Sequence, residues 1–275
     1  DNFNHAWFRN FSLIRIYGNV PTEKTESVHY GDSGQVARGF GPLYLLYKLA
    51  NEYHDGYTQT FANKILVERD PRDAGHFSTF LWYDPSLDER QFSELPLSHY
   101  WPNDEAVILR AGWNNDDLVF FLKTGPQGGH KQINDGFVSH NHEHPDANGF
   151  ALAYGGEWLA VDDGHREGSA TVDSSQWRLY TKGHNTLLVD GQGQYGENMT
   201  NSRWPTTTAY NNQGIRDFLD IGSLAYFKSD AAASYSLLST FNRHVIYIRP
   251  ATVVMLDEIS SNRRRTYDWL LQTAD

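Results

Sequence analysis

A histidine-rich segment between residues 140 and 150 carries the residue types best suited to chemistry. Five of its polar residues alternate with other residues, namely His140, His142, His144, Asp146 and Asn148. In an extended strand every second side chain points to the same face. Imidazoles and carboxylates are costly to bury unless a metal, a charged ligand or a partner compensates them. The segment therefore predicts a metal-binding or proton-transferring face, with a solvated, histidine-rich edge strand as the alternative.

Two later segments add groups of the same kind. One predicted strand ends in the carboxylates Asp162 and Asp163, and another opens at His184. Because neighbouring strand ends meet in an antiparallel sheet, His144, Asp162 and His184 could supply two imidazoles and one carboxylate to a single ion. Asp163 is the alternative carboxylate ligand. The chain has no cysteine, so any metal site must be built from nitrogen and oxygen ligands.

Composition narrows the class of protein. The 275 residues suffice for one large domain or two, and no apolar run approaches the ~20 residues that a membrane span requires. A net charge of −11 argues against nucleic acid as a partner, because phosphate binding needs clustered Lys and Arg. The sequence opens at Asp1 with neither an initiator Met nor a signal peptide, so we expect it to be the middle of a longer protein.

The spacing of apolar residues changes along the chain. In the first part they recur at helical spacing, over Trp7 to Ile16, Gly34 to about Asn63, and Tyr57 to Val67. After about His99, short β-rich runs alternate with turn signals. The predicted strands are Ala106–Arg110, Leu118–Leu122, Gly149–Tyr154, Trp158–Val161, Asn185–Val189, His244–Ile248 and Thr252–Leu256.

Many short strands without helices between them predict a large antiparallel β-sandwich. We therefore predict an α+β chain with a helical region over residues 1–95 and a β-sandwich over residues 96–275. The boundary is expected in the Pro-containing stretch from Asp84 to Pro102.

Three motifs, taken together, resemble the heparinase II/III-like polysaccharide lyases, a group that includes several alginate lyase families. They are H-x-H-x-D-x-N-x-F from His142, D-x-G from Asp162, and H-N-T-L-x-V-D-G-x-G-Q from His184. Each motif alone is weak, whereas three in the same order at compatible spacing are specific. The resemblance covers residues 95 to 195.

The resemblance implies a partial (α/α) toroid followed by the sandwich, with substrate in the cleft between them. It also implies a structural zinc at His144, Asp162 and His184, and a role for His142 as catalytic base or as the group that neutralises a substrate carboxylate. Other catalytic residues in such lyases, commonly an Asn or His and a Tyr, come from toroid helices. Residues 1 to 95 offer no convincing counterpart, so we expect those groups upstream.

Further residues near the motifs have possible roles. Tyr180 is a candidate proton donor, with a sandwich-edge aromatic as the alternative. Arg178 and Lys182 could hold substrate carboxylates, although exposed basic residues are more often solvated surface. Asp146 and Asn148 are expected to orient the ligand imidazoles, since a metal-bound His donates its other N–H to a carboxylate or carbonyl.

The implied reaction is β-elimination on a uronic-acid-containing polysaccharide. Alginate is favoured over glycosaminoglycans of the heparin type and over ulvan, because residues 181–185 and 192–194 resemble oligoalginate lyase-like members most. The expected location is the periplasm or the outside of a bacterium. Two alternatives remain: a cupin-like metal oxygenase, since H-x-H with a later carboxylate and His also binds iron, and a carbohydrate-binding sandwich without catalysis.

Overall fold

The structure of the chain, a computed structural model, describes residues 2–20, 26–28, 43–68, 77–136, 143–162, 177, 179–197, 205 and 207–273. The helices are α1 (Ala6–Gly18), α2 (Leu43–Tyr53), α3 (Gly56–Glu68), α4 (Phe77–Trp82), α5 (Gly129–Asn134) and α6 (Thr208–Asn211). The strands are β1 (Asn19–Val20), β2 (Glu26–Ser27), β3 (Ser98–Trp101), β4 (Ala106–Arg110), β5 (Val119–Lys123), β6 (Gly149–Tyr154), β7 (Glu157–Ala160), β8 (Leu187–Val189), β9 (Gly214–Asp220), β10 (Leu224–Asp230), β11 (Thr240–Ile248), β12 (Thr252–Ser260) and β13 (Tyr267–Trp269).

The N-terminal helices form their own apolar cluster. Helix α2 buries Leu43, Leu46, Leu49 and Ala50, three or four residues apart, against Phe61 of α3. This spacing places the apolar residues on one face of the helix, as the sequence predicted. In the part of the chain that the structure describes, no helix is long and apolar enough to cross a membrane.

The helical stretch predicted from Gly34 to about Asn63 is divided between α2 and α3, and its part before α2 lies outside the described residues. The break falls at His54, which has a φ of 49°. Asp55 then starts α3, because its carboxylate accepts the Tyr57 amide at 3.0 Å. A left-handed residue followed by an aspartate cap ends one helix and begins the next.

The strands form antiparallel sheets, which confirms the α+β class. Strands β3-β4-β5-β6-β7 make a five-stranded sheet and β12-β11-β10-β9 a four-stranded one, while β8 pairs with β13. Apolar side chains from the two larger sheets meet in one core, formed by Val107, Leu109, Leu118, Phe120, Leu122, Phe150, Ala160, Ile215, Ala225, Phe227, Val245 and Tyr247. The toroid remains a prediction, and so does the boundary between residues 84 and 102.

Strands β4 and β5 of the five-stranded sheet are buried on both faces. Every residue of β4 and β5 is buried; Val107 and Phe120 face the four-stranded sheet, whereas Ile108 and Phe121 pack towards Tyr17 of α1. Strands buried on both faces read as continuous apolar runs instead of alternating ones. The sheet therefore lies between the helices and the second sheet, and both are fixed to it.

A buried arginine joins α1 to this sheet. The Arg110 guanidinium is 2% exposed, and its Nη1 donates to the carbonyls of Tyr17 and Asn19 at 2.8 and 2.9 Å. These carbonyls lie at the C-terminal end of α1, where the helix leaves acceptors without partners. Burial lowers the pKa of Arg110 to about 10, so the side chain stays charged at neutral pH and continues to cap the helix.

Phe120→Ala tests the sandwich core. Phe120 is fully buried between Phe150 of its own sheet and Phe227 of the other, with ring centroids 5.9 and 6.3 Å away. Removing the ring should lower the free energy of unfolding by about 3–5 kcal/mol. The control Phe80→Ala removes a ring that is 86% exposed and should change it by less than about 0.5 kcal/mol. Equal losses in denaturant unfolding would contradict this account of the core.

Candidate metal centre and adjoining cleft

The segment that carries His144 and Asp146 is a buried turn. The alternation of polar residues predicted an extended strand here, and for the described part of the segment this prediction is wrong. Strand β6 begins only at Gly149, whose amide donates to the Asp146 carbonyl at 2.6 Å. Asn148 has a φ of 60°, and Pro145 cannot donate to a strand ladder. The turn nevertheless buries His144, Asp146 and Asn148. These groups are close together because the turn places them all in the interior, and not because they alternate along a strand.

Asp146, Asp162 and His184 meet inside the sandwich. One ligand atom from each lies within 4.8 Å of the others, and all three residues are buried. The Nδ1 of His184 lies 3.0 and 3.1 Å from the two carboxylate oxygens of Asp162. The ring of His144 is 5.4 Å from that of His184, centroid to centroid. The structure thus brings together the predicted ligands Asp162 and His184, places His144 beside them, and adds Asp146.

The charges around this cluster are only partly balanced. Burial raises the pKa of Asp146, Lys123 opposes that shift, and the nearby Asp162 adds to it. The Lys123 Nζ lies 3.9 Å from Asp146 and 2.9 Å from Glu143. Burial also opposes the charge of Glu143, but Lys123 holds the pKa of that carboxyl below its usual value. Two buried carboxylates with an imidazole are a donor set that suits zinc, so these residues fit a bound metal ion.

Asn185, which follows His184 in the sequence, fixes the backbone on both sides of the cluster. Its Nδ2 donates to the Phe150 carbonyl at 2.7 Å and to the Val161 carbonyl at 2.8 Å. Val161 precedes Asp162, so one amide side chain joins the His184 segment to β6 and to the segment after β7 that carries Asp162. This requirement for a planar group with two donors explains the asparagine of the motif.

Thr186 and Gln194 hold the turn that carries Asp146. The Thr186 hydroxyl donates to the Ala147 carbonyl at 2.9 Å. Gln194 accepts the Ala147 amide and donates to its carbonyl, both at 2.9 Å. Gln194 also donates to the Tyr235 hydroxyl at 3.0 Å. The conformation of Ala147, next to Asp146, is therefore set by two polar residues of the motif that opens at His184.

Arg243 is a residue of the site that sequence reasoning missed. It is fully buried, and its Nη1 donates to the carbonyls of Asn148 and Asn185 at 2.6 and 3.0 Å. Its Nε and Nη2 donate to the two oxygens of Asp257 at 2.8 and 2.7 Å. The available signal was an arginine at an inward position of β11, between Phe241 and Val245 in the alternating register.

A cleft of about 1010 Å³ lies next to the cluster and is lined by residues of α1, β3 and α5 together with Lys123 and Glu143. Aromatic rings on its wall include those of Trp7, His99 and Trp101. Because Lys123 contacts both Glu143 in the cleft and Asp146 in the cluster, it connects the two. Among the described residues lining the cleft, the charged ones other than His are Arg15, Lys123, Lys131, Asp104, Asp135 and Glu143. Its net charge therefore does not by itself select an anionic ligand.

The proposed catalytic and substrate-binding residues are less completely described. Those outside the described residues are His140, His142, Asp163 and Arg178. Tyr180 is partly exposed, and Lys182 is exposed with its Nζ 4.6 Å from the centre of the Trp177 ring. Neither Tyr180 nor Lys182 is among the described residues that line the cleft, and their roles stay predictions.

A comparison with protein-family models decides the family. Residues 106–275 match the model described as "Heparinase II/III-like, C-terminal". The chain belongs to the heparinase II/III-like family. The matched range of this heparinase II/III-like chain contains Asp146, Asp162, His184 and Arg243. A search of curated proteins finds no match.

Solved structures support the same fold. The chain is similar to a heparan sulfate lyase, HepC, from Pedobacter heparinus, with 17% identity and a TM-score of 0.63 over 94% of this chain and 33% of that one. It is also similar to a heparinase III, with 15% identity and a TM-score of 0.63 over 96% of this chain and 35% of that one. The heparinase II/III-like chain thus spans about a third of the length of these structures.

Asn185→Ala tests the hydrogen bonds that hold the cluster. The carbonyls of Phe150 and Val161 would lose a donor, at a cost of about 1–3 kcal/mol for each group left buried and unsatisfied. Denaturant unfolding measures this loss. The control Asn115→Ala, at an exposed turn, should leave the free energy of unfolding nearly unchanged. An equally small effect at Asn185 would contradict the proposed bridging role.

Proposed function

We propose that this chain is the sandwich part of a polysaccharide lyase that cleaves uronic-acid-containing polysaccharides by β-elimination. The observation that carries the proposal is the meeting of Asp146, Asp162 and His184 beside a cleft, with Lys123 between the cluster and the cleft. Membership of the heparinase II/III-like family supports it. Because the chain spans a third of the similar solved structures, the proposal concerns the whole protein and not this chain alone.

The chemistry sets the groups that such a site needs. The C5 proton beside the sugar carboxylate is too weakly acidic for direct removal at neutral pH, so a protein group must neutralise the carboxylate and stabilise the developing enolate charge. A base then takes the C5 proton, the C4–C5 double bond forms, and the C4–O4 bond breaks. An acid delivers a proton to the departing O4.

Within this chain, His142 is the candidate for the base or for the neutralising group. It is the sequence neighbour of Glu143, which lines the cleft. Tyr180 is the candidate proton donor, and Arg178 and Lys182 are candidates for holding substrate carboxylates. The exposed aromatic ring of Trp7 in the cleft wall suits stacking against a sugar ring.

A zinc ion held by His144, Asp162 and His184 is part of the proposal, with Asp146 as a further carboxylate close to it. When bound, the metal would neutralise buried charge and cross-link the segments that carry its ligands. The residues themselves would then hold the turn after residue 142 in a fixed position beside the cleft. This role is structural, and it accounts for the burial of the donor set.

The metal proposal predicts zinc in the purified wild-type protein. Elemental analysis of protein prepared without chelators should find about one zinc per chain, and His144→Ala and His184→Ala should each lose both zinc and thermal stability. His130→Ala is the matched control, because His130 also lies against a carboxylate, with its Nε2 2.5 Å from Glu105, but outside this cluster. It should keep the zinc. Metal-free wild-type protein would count decisively against the site.

The substrate is a uronic-acid polysaccharide in either of two leading forms. The sequence around residues 181–194 favours alginate, whereas the similar solved structures include a heparan sulfate lyase and a heparinase III. Both polymers carry the uronate that β-elimination requires. A periplasmic or secreted location is part of the proposal, because such polymers are met outside the bacterial cytoplasm.

The activity is tested by incubating the full-length protein with alginate, heparan sulfate, hyaluronan and ulvan while following the ultraviolet absorbance of the unsaturated product. We expect absorbance to rise with alginate or heparan sulfate. His142→Ala should slow the reaction about 10²- to 10⁴-fold, the usual contribution of a general acid or base. The control His244→Ala, on β11 beside Tyr226, should not.

Absence of product from every polymer would refute the lyase. Binding of a polymer without product would instead support the carbohydrate-binding sandwich. The family assignment removes the cupin-like alternative.

A further inference from the structure

We propose that Arg243 is a positioning residue of the metal centre, which sets the distance between the turn carrying Asp146 and the segment carrying His184. The proposal rests on the metal-binding part of the proposed function. Arg243 lies on β11 of the four-stranded sheet, and its hydrogen bonds reach the Asp257 carboxylate and two backbone carbonyls instead of the ligand side chains. Its effect on the centre is exerted through the backbone.

One nitrogen atom makes the connection. The Nη1 of Arg243 donates to the Asn148 carbonyl at 2.6 Å and to the Asn185 carbonyl at 3.0 Å. Asn148 lies two residues after Asp146, and Asn185 is adjacent to His184. Two of the three segments that bring ligands to the cluster are thus held by a shared donor, and the separation of their backbones depends on where that donor lies.

The position of that donor is itself fixed. The other edge of the guanidinium forms a bidentate pair with Asp257, at 2.8 and 2.7 Å, and Arg243 faces Asp257 directly in the pairing of β11 with β12. A planar guanidinium with two hydrogen bonds to one carboxylate has a defined orientation, which a lysine ammonium cannot reproduce. The direction of Nη1 therefore follows from the register of the four-stranded sheet.

Aromatic rings restrict the side chain further. The guanidinium carbon lies 5.5, 5.6 and 5.9 Å from the ring centroids of Phe150, Phe241 and Trp269, and Arg243 is 0% exposed. The guanidinium needs no water molecule as a hydrogen-bond partner, because both of its polar edges face acceptors of the protein. A side chain held by an ion pair, two carbonyls and three rings is suited to keeping a fixed geometry.

Arg249, in the connection between β11 and β12, offers a matched control. It also makes a bidentate pair, with Asp220 at 3.0 and 2.8 Å, and it also donates to backbone carbonyls, those of Arg110 and Gly222. It contacts none of the segments that carry Asp146, Asp162 or His184 through these bonds. Arg249→Lys therefore removes a comparable bidentate ion pair without disturbing the metal centre.

The experiment replaces zinc by cobalt(II) and titrates wild-type protein, Arg243→Lys and Arg249→Lys while recording the visible absorption spectrum and the thermal midpoint. Both variants should unfold at lower temperature. Arg243→Lys should in addition bind cobalt about 10- to 100-fold more weakly, the usual effect of disturbing the groups that orient metal ligands, and its spectrum should change. Arg249→Lys should keep the wild-type affinity and spectrum.

Asp257→Asn is a second variant for the case in which Arg243→Lys does not fold. It keeps the arginine but weakens the pair that orients it, so we expect a smaller loss of cobalt affinity in the same direction. Folded variants at both positions with wild-type affinity and spectrum would overturn the inference while leaving the metal centre intact. Wild-type protein that binds no cobalt or zinc would instead refute the metal centre, and the inference with it.

Discussion

Two carboxylates buried side by side, those of Asp146 and Asp162, are the constraint on which the rest of the candidate site depends. Ligand atoms of the two lie within 4.8 Å, and two unit charges at that distance repel by about 3 kcal/mol at an effective dielectric constant of about 20. Burial itself raises the pKa of Asp146, because the charged form loses hydration, and the nearby Asp162 raises it further. The His184 imidazole and the Lys123 ammonium offset part of this cost. A bound cation would offset more of it.

The surrounding fold supplies the rigidity that such a cluster needs. The five-stranded sheet has the four-stranded sheet on one face and helix α1 on the other. The side chains of Asn185, Thr186 and Gln194 then bond the cluster's backbone segments to one another. The residues of the H-N-T motif are thereby explained: His184 and Asn185 both reach the segment of Val161 and Asp162, Asn185 also reaches β6, and Thr186 reaches the turn at Ala147.

Much of this architecture could be predicted from the sequence where the signal was local. Strands β4 and β6 occur with the predicted bounds, because each is a short run of mostly apolar residues between turn signals. Strand β10 was missed, because its inward positions include the small residues Ala225 and Ser229, which give a weak period-two signal. The cluster residues were recognised by type and order, but the turn around Pro145 was not, since the left-handed Asn148 depends on tertiary contacts. Arg243 was missed for a related reason: its partners lie 14, 58 and 95 residues away in sequence.

Arg110 and Arg243 have the same structural role in two layers of the fold. Each is a buried guanidinium on a strand, and each uses Nη1 to hold two backbone carbonyls, at the end of α1 in one case and beside the cluster of Asp146, Asp162 and His184 in the other. The layers are themselves joined, because Arg249 of the connection after β11 donates to the Arg110 carbonyl at 2.8 Å. Helix α1 forms one wall of the cleft, so both the wall and the cluster are tied to the sheets by groups that cannot give up a hydrogen bond without leaving a buried polar atom unsatisfied. The distance between cleft and cluster is therefore a property of the sandwich, and it does not require the loops to be rigid in themselves.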